Sequence, residues 1–213
     1  MSAARLILPI ISMMTVVAAS NYLVQFPVNF SAGPLNLADL LTYGAFTYPA
    51  AFLVTDLTNR RFGPARARLV VLIGFVLAVL LSVWLASPRI AIASGSAFLT
   101  AQLLDVAIFD RLRQGRWWRA PLVSSIAGSV LDTVLFFSMA FAAGFDVLGP
   151  HDDFAIASAP LLGLMAFEAP RWMSWALGDL AVKLLVALMM LAPYRMLRAW
   201  LAPQDFRLES NGA

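Results

Sequence analysis

Apolar residues run along this chain in stretches long enough to cross a bilayer, and polar residues interrupt those stretches at few positions. A span needs roughly 20 apolar residues at 1.5 Å rise each. Six stretches qualify, predicted as helices over about 6–26 (Leu6–Phe26), 38–57 (Ala38–Leu57), 69–86 (Leu69–Ala86), 90–109 (Ile90–Phe109), 122–145 (Leu122–Phe145) and 172–191 (Trp172–Leu191). The segments between them alternate in character. Pro27–Leu37 is uncharged and rich in turn formers, whereas Thr58–Arg68 carries Arg60, Arg61, Arg66 and Arg68. Ser87-Pro88 reads as a tight turn, and Asp110–Arg119 carries Arg111, Arg113, Arg116 and Arg119. A longer, mildly acidic loop follows over 145–171; within it Phe154–Phe167 is apolar but too short for a span, which suits an interfacial or re-entrant segment.

Charge then orients the bundle. Cations gather at the N-terminus, in the two arginine-rich loops and in the tail with Arg195, Arg198 and Arg207; outside these stand Arg89, Arg171 and Lys183. Cytoplasmic loops carry the excess of Lys and Arg, so both termini are predicted to be cytoplasmic. Composition agrees with the pattern: 61% of the residues are hydrophobic, 13% are charged, and the mean hydropathy is +0.81. The fold class is therefore all-α, a polytopic six-helix membrane bundle forming a single domain over 1–213. The formal charge of +3 is explained by arginines at helix ends and does not call for nucleic acid. With no cysteine, disulfides, thiolate metal sites and thiol nucleophiles are excluded. The first apolar run is read as a retained helix, because no small-residue cleavage site follows it.

The polar residues inside the spans carry the candidate chemistry. An ionisable side chain at hydrocarbon depth costs roughly 2.5–3.5 kcal/mol at a helix centre, so it faces a cavity or a partner. Span four holds Gln102 and Asp105 at i, i+3; span five aligns Ser125, Ser129 and Asp132 on one stripe. Asn21 and Gln25 share a face of span one, and Asp56 closes span two beside Asn59, Arg60 and Arg61. Asp179 and Lys183 stand at i, i+4, acid before base, and read either as a structural ion pair or as a coupling site. Asp105 and Asp132 have no base within their own helices, and the hairpin of spans four and five is expected to bring them to one polar site. Carboxylates accept parallel bonds from adjacent N–H groups, Gln102 both donates and accepts, and Phe46, Tyr48, Phe98 and Phe136 can stack a planar ring. A purine-like heterocycle fits that description, as do other small polar solutes. His151 beside Asp152 and Asp153 is too few ligands for a metal site, and no P-loop glycine motif is present, so no cofactor or metal is implied.

These residues also carry a resemblance. The run RIAIASGSAFLTAQLLDVAIFDRLR, then Trp118-Arg119, then SS…LDTVLFFSMAF, together with Asn21 and YPAAFLVTDLTNRRFGPARAR, resembles the queuosine precursor transporter family, also called a vitamin uptake transporter group. The similarity is densest from Ser20 to Phe141. It departs from the family pattern at Asn59, where an acid is usual, and around Ala120, Pro121 and Ser124-Ser125. The resemblance implies a multi-pass protein of the bacterial inner membrane that imports 7-cyano-7-deazaguanine and 7-aminomethyl-7-deazaguanine for tRNA modification. It also implies that Asn21, Asp56, Gln102, Asp105, Ser125, Asp132 and Thr133 hold the substrate. The expected partners are this small molecule and the lipid bilayer, and small-residue faces leave a homodimer open. One alternative is the substrate-binding subunit of a multi-component vitamin importer that needs separate ATPase subunits. An intramembrane enzyme using paired aspartates is a further alternative; it lacks a nucleophile motif, a metal-ligand cluster and any histidine in the spans.

Overall fold

A computed structural model describes residues 3–32 and 35–201; Arg207 of the predicted cytoplasmic tail lies outside them. After a short 3-10 turn come α1 (Ile7–Leu23), a two-stranded ribbon β1 (Ser31–Ala32) and β2 (Leu35–Asn36), then α2 (Gly44–Thr47) and α3 (Ala50–Phe62). Next are α4 (Pro64–Leu85), α5 (Pro88–Leu112) and α6 (Arg119–Phe141). The far loop holds α7 (Asp153–Ile156) and a second antiparallel ribbon, β3 (Ser158–Pro160) with β4 (Glu168–Pro170), before the closing helix α8 (Arg171–Leu201). Among the described residues four helices, α4, α5, α6 and α8, are long and apolar enough to cross a membrane; α1 is a shorter apolar helix of 17 residues. The chain is an all-α, multi-pass membrane protein.

Local chemistry sets the helix boundaries. Gly63 joins α3 to α4 at φ +83°, a left-handed conformation that glycine takes without a Cβ penalty, and Pro64 occupies the first position of α4. The Ser87 hydroxyl accepts from the Ile90 amide at 3.3 Å and Pro88 starts α5, as the tight-turn reading predicts.

The second apolar stretch departs from a continuous helix. It divides into a 3-10 turn at Leu37–Asp39, then α2, then α3, with the interruption at Tyr48-Pro49. Proline has no amide hydrogen to give and its ring crowds the preceding turn, so a helix restarts at Pro49 rather than running through it. The apolar segment Phe154–Phe167 becomes α7, β3 and a 3-10 turn, with Leu162 at φ 57° and Phe154, Met165 and Phe167 exposed.

Along the bundle α5 lies against α6, α4 against α5, α8 against α6 and α1 against α4. Met13, Val17, Ala51, Val70, Val71, Phe98 and Val106 form the main apolar core. Leu80, Val83, Trp84, Leu188 and Met189 face outward, as lipid-facing positions do. Gly128 permits the closest approach: a Cβ there would stand 2.6 Å from the Phe52 ring and 3.3 Å from the Ala101 carbonyl. Small residues at such crossings let helix backbones meet without the hydrophobic driving force that water supplies. This contact fixes α3, α5 and α6 around the polar residues described next.

Candidate functional site

The membrane-embedded polar residues fall into two groups. The first lines a cleft of about 180 Å³ that is continuous with a wider vestibule of about 670 Å³ beneath the α7–β4 loop. The cleft is bounded by the last turns of α1 and α4, the first turns of α5 and the second half of α6. The arginine-rich loops lie at the opposite ends of those helices, so the cleft opens away from the arginines.

At its floor is an ion cluster across two helices. Lys183 Nζ lies 2.6 Å from Asp132 Oδ2 and 2.5 Å from Asp179 Oδ2, and it donates to the Thr133 hydroxyl at 3.2 Å. Thr133 in turn donates to Asp179 Oδ2 at 2.9 Å, and the Tyr48 hydroxyl donates to Asp132 Oδ1 at 3.2 Å. All three ammonium hydrogens are thus used within the cluster, as a buried cation requires. Two carboxylates against one ammonium leave a formal charge of −1. The break at Tyr48-Pro49 brings Tyr48 to this point, and Lys183 Nζ sits 5.4 Å from the Tyr48 ring centre. Asn21 lines the same cleft, its Oδ1 accepting from Ser82 at 3.3 Å and its Nδ2 donating to the Val17 carbonyl at 3.0 Å. Gln25, Thr42, Ser94 and Phe136 complete the wall.

The second group is closed off toward the arginine-rich end. Asp56 of α3 and Asp105 of α5 face each other, both fully buried, with the Ser124 hydroxyl of α6 donating to Asp56 Oδ1 at 3.4 Å. No donor bonds to either oxygen of Asp105. Gln102 Oε1 accepts from Thr55 at 2.6 Å while its Nε2 has no partner; Asn59 Nδ2 donates to the Val106 carbonyl at 3.0 Å while its Oδ1 has none. Ser129 is also buried without a partner, and Ser125 borders a cavity of about 10 Å³ shared with Asp56 and Tyr194.

The residues predicted from the sequence are therefore divided. Asn21, Asp132, Thr133, Asp179 and Lys183 come together at the cleft; Asp56, Gln102, Asp105 and Ser125 assemble in the closed group. Asp105 and Asp132, expected at one site, stand in different ones, because two turns of α5 and α6 separate their levels and each meets a different third helix. The Asp132–Lys183 pairing bridges 51 residues of sequence, and only the packing of α8 on α6 creates it. Tyr48 as a hydrogen-bond donor and Ser82 as a partner of Asn21 were not singled out. The visible signals were a tyrosine preceding a proline and a lone hydroxyl in an otherwise apolar span. Phe98 packs edge-on to Tyr48 inside the core and does not reach the cleft, whereas Phe136 does. His151 donates to Asp146 at 2.8 Å and lies 3.5 Å from Asp153, and no group of three metal-ligating residues occurs among the described residues.

No solved structure matches the chain. The chain is 36% identical to the Queuosine precursor transporter of Escherichia coli (strain K12) over 199 residues, covering 84% of this chain and 79% of that protein. It is 34% identical to the Probable queuosine precursor transporter of Haemophilus influenzae over 205 residues, with the same shares covered. A Probable queuosine precursor transporter of Bacillus subtilis matches at 27% identity over 128 residues, 47% of this chain and 56% of that one. The profile of the family described as "Putative vitamin uptake transporter" matches residues 42–86 and 82–197, a stretch that contains both polar groups apart from Asn21 and Gln25. The chain belongs to this family of membrane transporters.

Proposed function

We propose that the chain imports queuosine precursors, 7-cyano-7-deazaguanine and 7-aminomethyl-7-deazaguanine, across the bacterial inner membrane, and that the base is held in the cleft above Asp132, Lys183 and Asp179. In this reading the chain crosses the membrane six times. The broken α2–α3 segment supplies the second crossing, both termini are cytoplasmic, and the cleft opens to the outside, where an importer collects its substrate.

The observation that carries the reading is the ion cluster at the cleft floor. Lys183 spends its hydrogens on the two carboxylates and Thr133, so the cluster presents acceptors to a ligand rather than donors. The Asp179 side chain borders both cleft and vestibule, and its Oδ2 takes the bonds from Lys183 and Thr133. Its Oδ1 then faces the ligand. That oxygen suits one N–H of a guanine-like edge, which it accepts in a charge-assisted hydrogen bond. Phe136 and the Tyr48 ring give the heterocycle flat apolar surfaces.

The test is thermal stabilisation of the purified protein by both deazaguanines, guanine, adenine, biotin and riboflavin. A ligand bound only to the folded state raises the midpoint with the logarithm of its concentration over Kd. Both deazaguanines are expected to stabilise, and biotin and riboflavin not. A hydrogen bond to a charged group contributes about 1.5–3 kcal/mol, so Asp179→Asn is expected to weaken binding by roughly 10- to 100-fold. Full affinity in Asp179→Asn, or stabilisation by the vitamins instead, sinks the assignment.

A further inference from the structure

Asp56 and Asp105 take no part in the cleft, yet they are the most fully enclosed acids among the described residues. The embedded lysine is committed elsewhere, to Asp132 and Asp179. What faces Asp105 is a second carboxyl, and no donor bonds to either of its oxygens. Two ionised carboxylates in contact inside a membrane repel, whereas one proton between them turns the contact into a hydrogen bond. The surroundings point the same way. Asn59 stands one turn along α3 from Asp56 and is tied to the Val106 carbonyl next to Asp105, which leaves its unpartnered, fully buried Oδ1 beside the pair. The Gln102 amide, one turn from Asp105, is held by Thr55 with its Nε2 unpartnered.

The groups facing the pair from each packed element are few. α3 itself brings Arg60 one turn beyond Asp56, and α5 brings Arg113, which donates to the Asn59 carbonyl at 3.5 Å. α6 brings Ser124; α8 brings Tyr194, with Arg198 beyond it; α4 packs there through the apolar Ala67, Val70 and Val71. Next to Asp56 lies the cavity of about 10 Å³ between α3, α6 and α8, room for one water, bordered by Ser125 and Tyr194. Its lining also includes Pro121, in the first turn of α6 at the arginine-rich end.

We propose that Asp56 and Asp105 form a proton-carrying site that couples substrate import to the proton gradient. This rests on the import reading above and assigns the energy source to it. One proton from external water binds one carboxylate of the pair, is held as O–H···O between the two, and is released to cytoplasmic water past Ser125 and Tyr194. One proton therefore enters with each substrate, and no nucleotide is consumed.

The experiment uses the full chain in sodium-free proteoliposomes containing a pH-sensitive dye. Exchange of labelled for unlabelled 7-cyano-7-deazaguanine is measured first, then lumen acidification on adding external substrate. The expected result is exchange with substrate-dependent acidification in the native protein. In Asp105→Asn, exchange continues while acidification falls at least fivefold; Asp56→Asn is the parallel variant should Asp105→Asn fail to fold. Exchange without acidification in the native protein overturns the proposal and leaves the import reading standing, as does a strict requirement for sodium. Acidification undiminished in both variants also overturns it. No exchange in the native protein overturns the import reading itself.

Discussion

Lys183, itself buried, holds two carboxylates at 2.6 and 2.5 Å. A buried pair of this kind adds little net stability when intact, because desolvation offsets its Coulomb gain; removing one partner costs about 3–5 kcal/mol. Lys183→Met is therefore expected to lower stability by about that amount, seen as a fall in the thermal midpoint in detergent. Adding Asp132→Asn and Asp179→Asn to the same chain is expected to recover most of the loss, since no carboxylate is then left unpaired. A Lys183→Met protein as stable as the native one would mean that the cluster is solvated rather than enclosed. At this scale the sequence shows which polar residues are embedded better than what they touch. Asp179–Lys183 was legible from its i, i+4 spacing, and each embedded acid stood out against an apolar helix. That Lys183 also serves Asp132, and that Asp56 meets Asp105, depends on which helices become neighbours, and no local spacing encodes that.

Arg89 works at the scale of the helix. From the first turn of α5 its buried guanidinium reaches the C-terminal end of α6. Nε donates to the Met139 carbonyl at 2.9 Å, Nη2 to Ala142 at 2.6 Å, and Nη1 to Gly149 at 2.9 Å and Asp146 at 3.1 Å. The last carbonyls of a helix have no partner within it and carry the negative end of its dipole, so a planar cation with a fork of donors suits them. The hydrogen bond from His151 first, with Arg89 adding to it, holds the Asp146 carboxyl below its ordinary range. Stability from that depressed carboxyl is in place above the ordinary range and is lost only as pH falls through the lower folded value, so it is complete at neutral pH. Arg89→Ala is expected to cost on the order of 2–3 kcal/mol by stranding the carbonyls. Arg89→Lys is expected to recover only part, and Asp146→Asn to cost little because its side chain is 46% exposed. Thermal midpoints of the three variants check the order, and Asp146→Asn as the worst of them would contradict it. In sequence Arg89 reads as one more loop cation; its role depends on where α6 ends. The interruption at Pro49 had a visible cause, but the continuous hydropathy on both sides outweighed it in the prediction.

At the scale of the whole molecule, the membrane class follows from composition, and the placement of the arginines predicts an even number of crossings. Among the described residues the long apolar helices account for four crossings, so the count turns on α1 and on the α2–α3 segment. α1 has 17 residues, about 26 Å at 1.5 Å each, and its mostly apolar exposed side needs lipid. The segment from Gly44 to Phe62 runs from the cleft, which Gly44 and Tyr48 line, to the arginine-rich end, and a broken helix is tolerated at membrane depth where it is buried in protein or lines a cavity. The absence of cysteine makes every introduced cysteine a unique probe. Asp153, whose side chain is 98% exposed, marks the far loop; Gln114 marks the loop between α5 and α6; Ser210 marks the tail. With an impermeant maleimide on intact cells, Asp153→Cys is expected to react, and Gln114→Cys and Ser210→Cys only after permeabilisation. Labelling of Ser210→Cys from outside while Gln114→Cys stays protected would make the number of crossings odd. Labelling of Gln114→Cys and Ser210→Cys from outside, with Asp153→Cys protected, would invert the bundle, turn the cleft toward the cytoplasm, and leave the chain better suited to releasing a substrate than to collecting one.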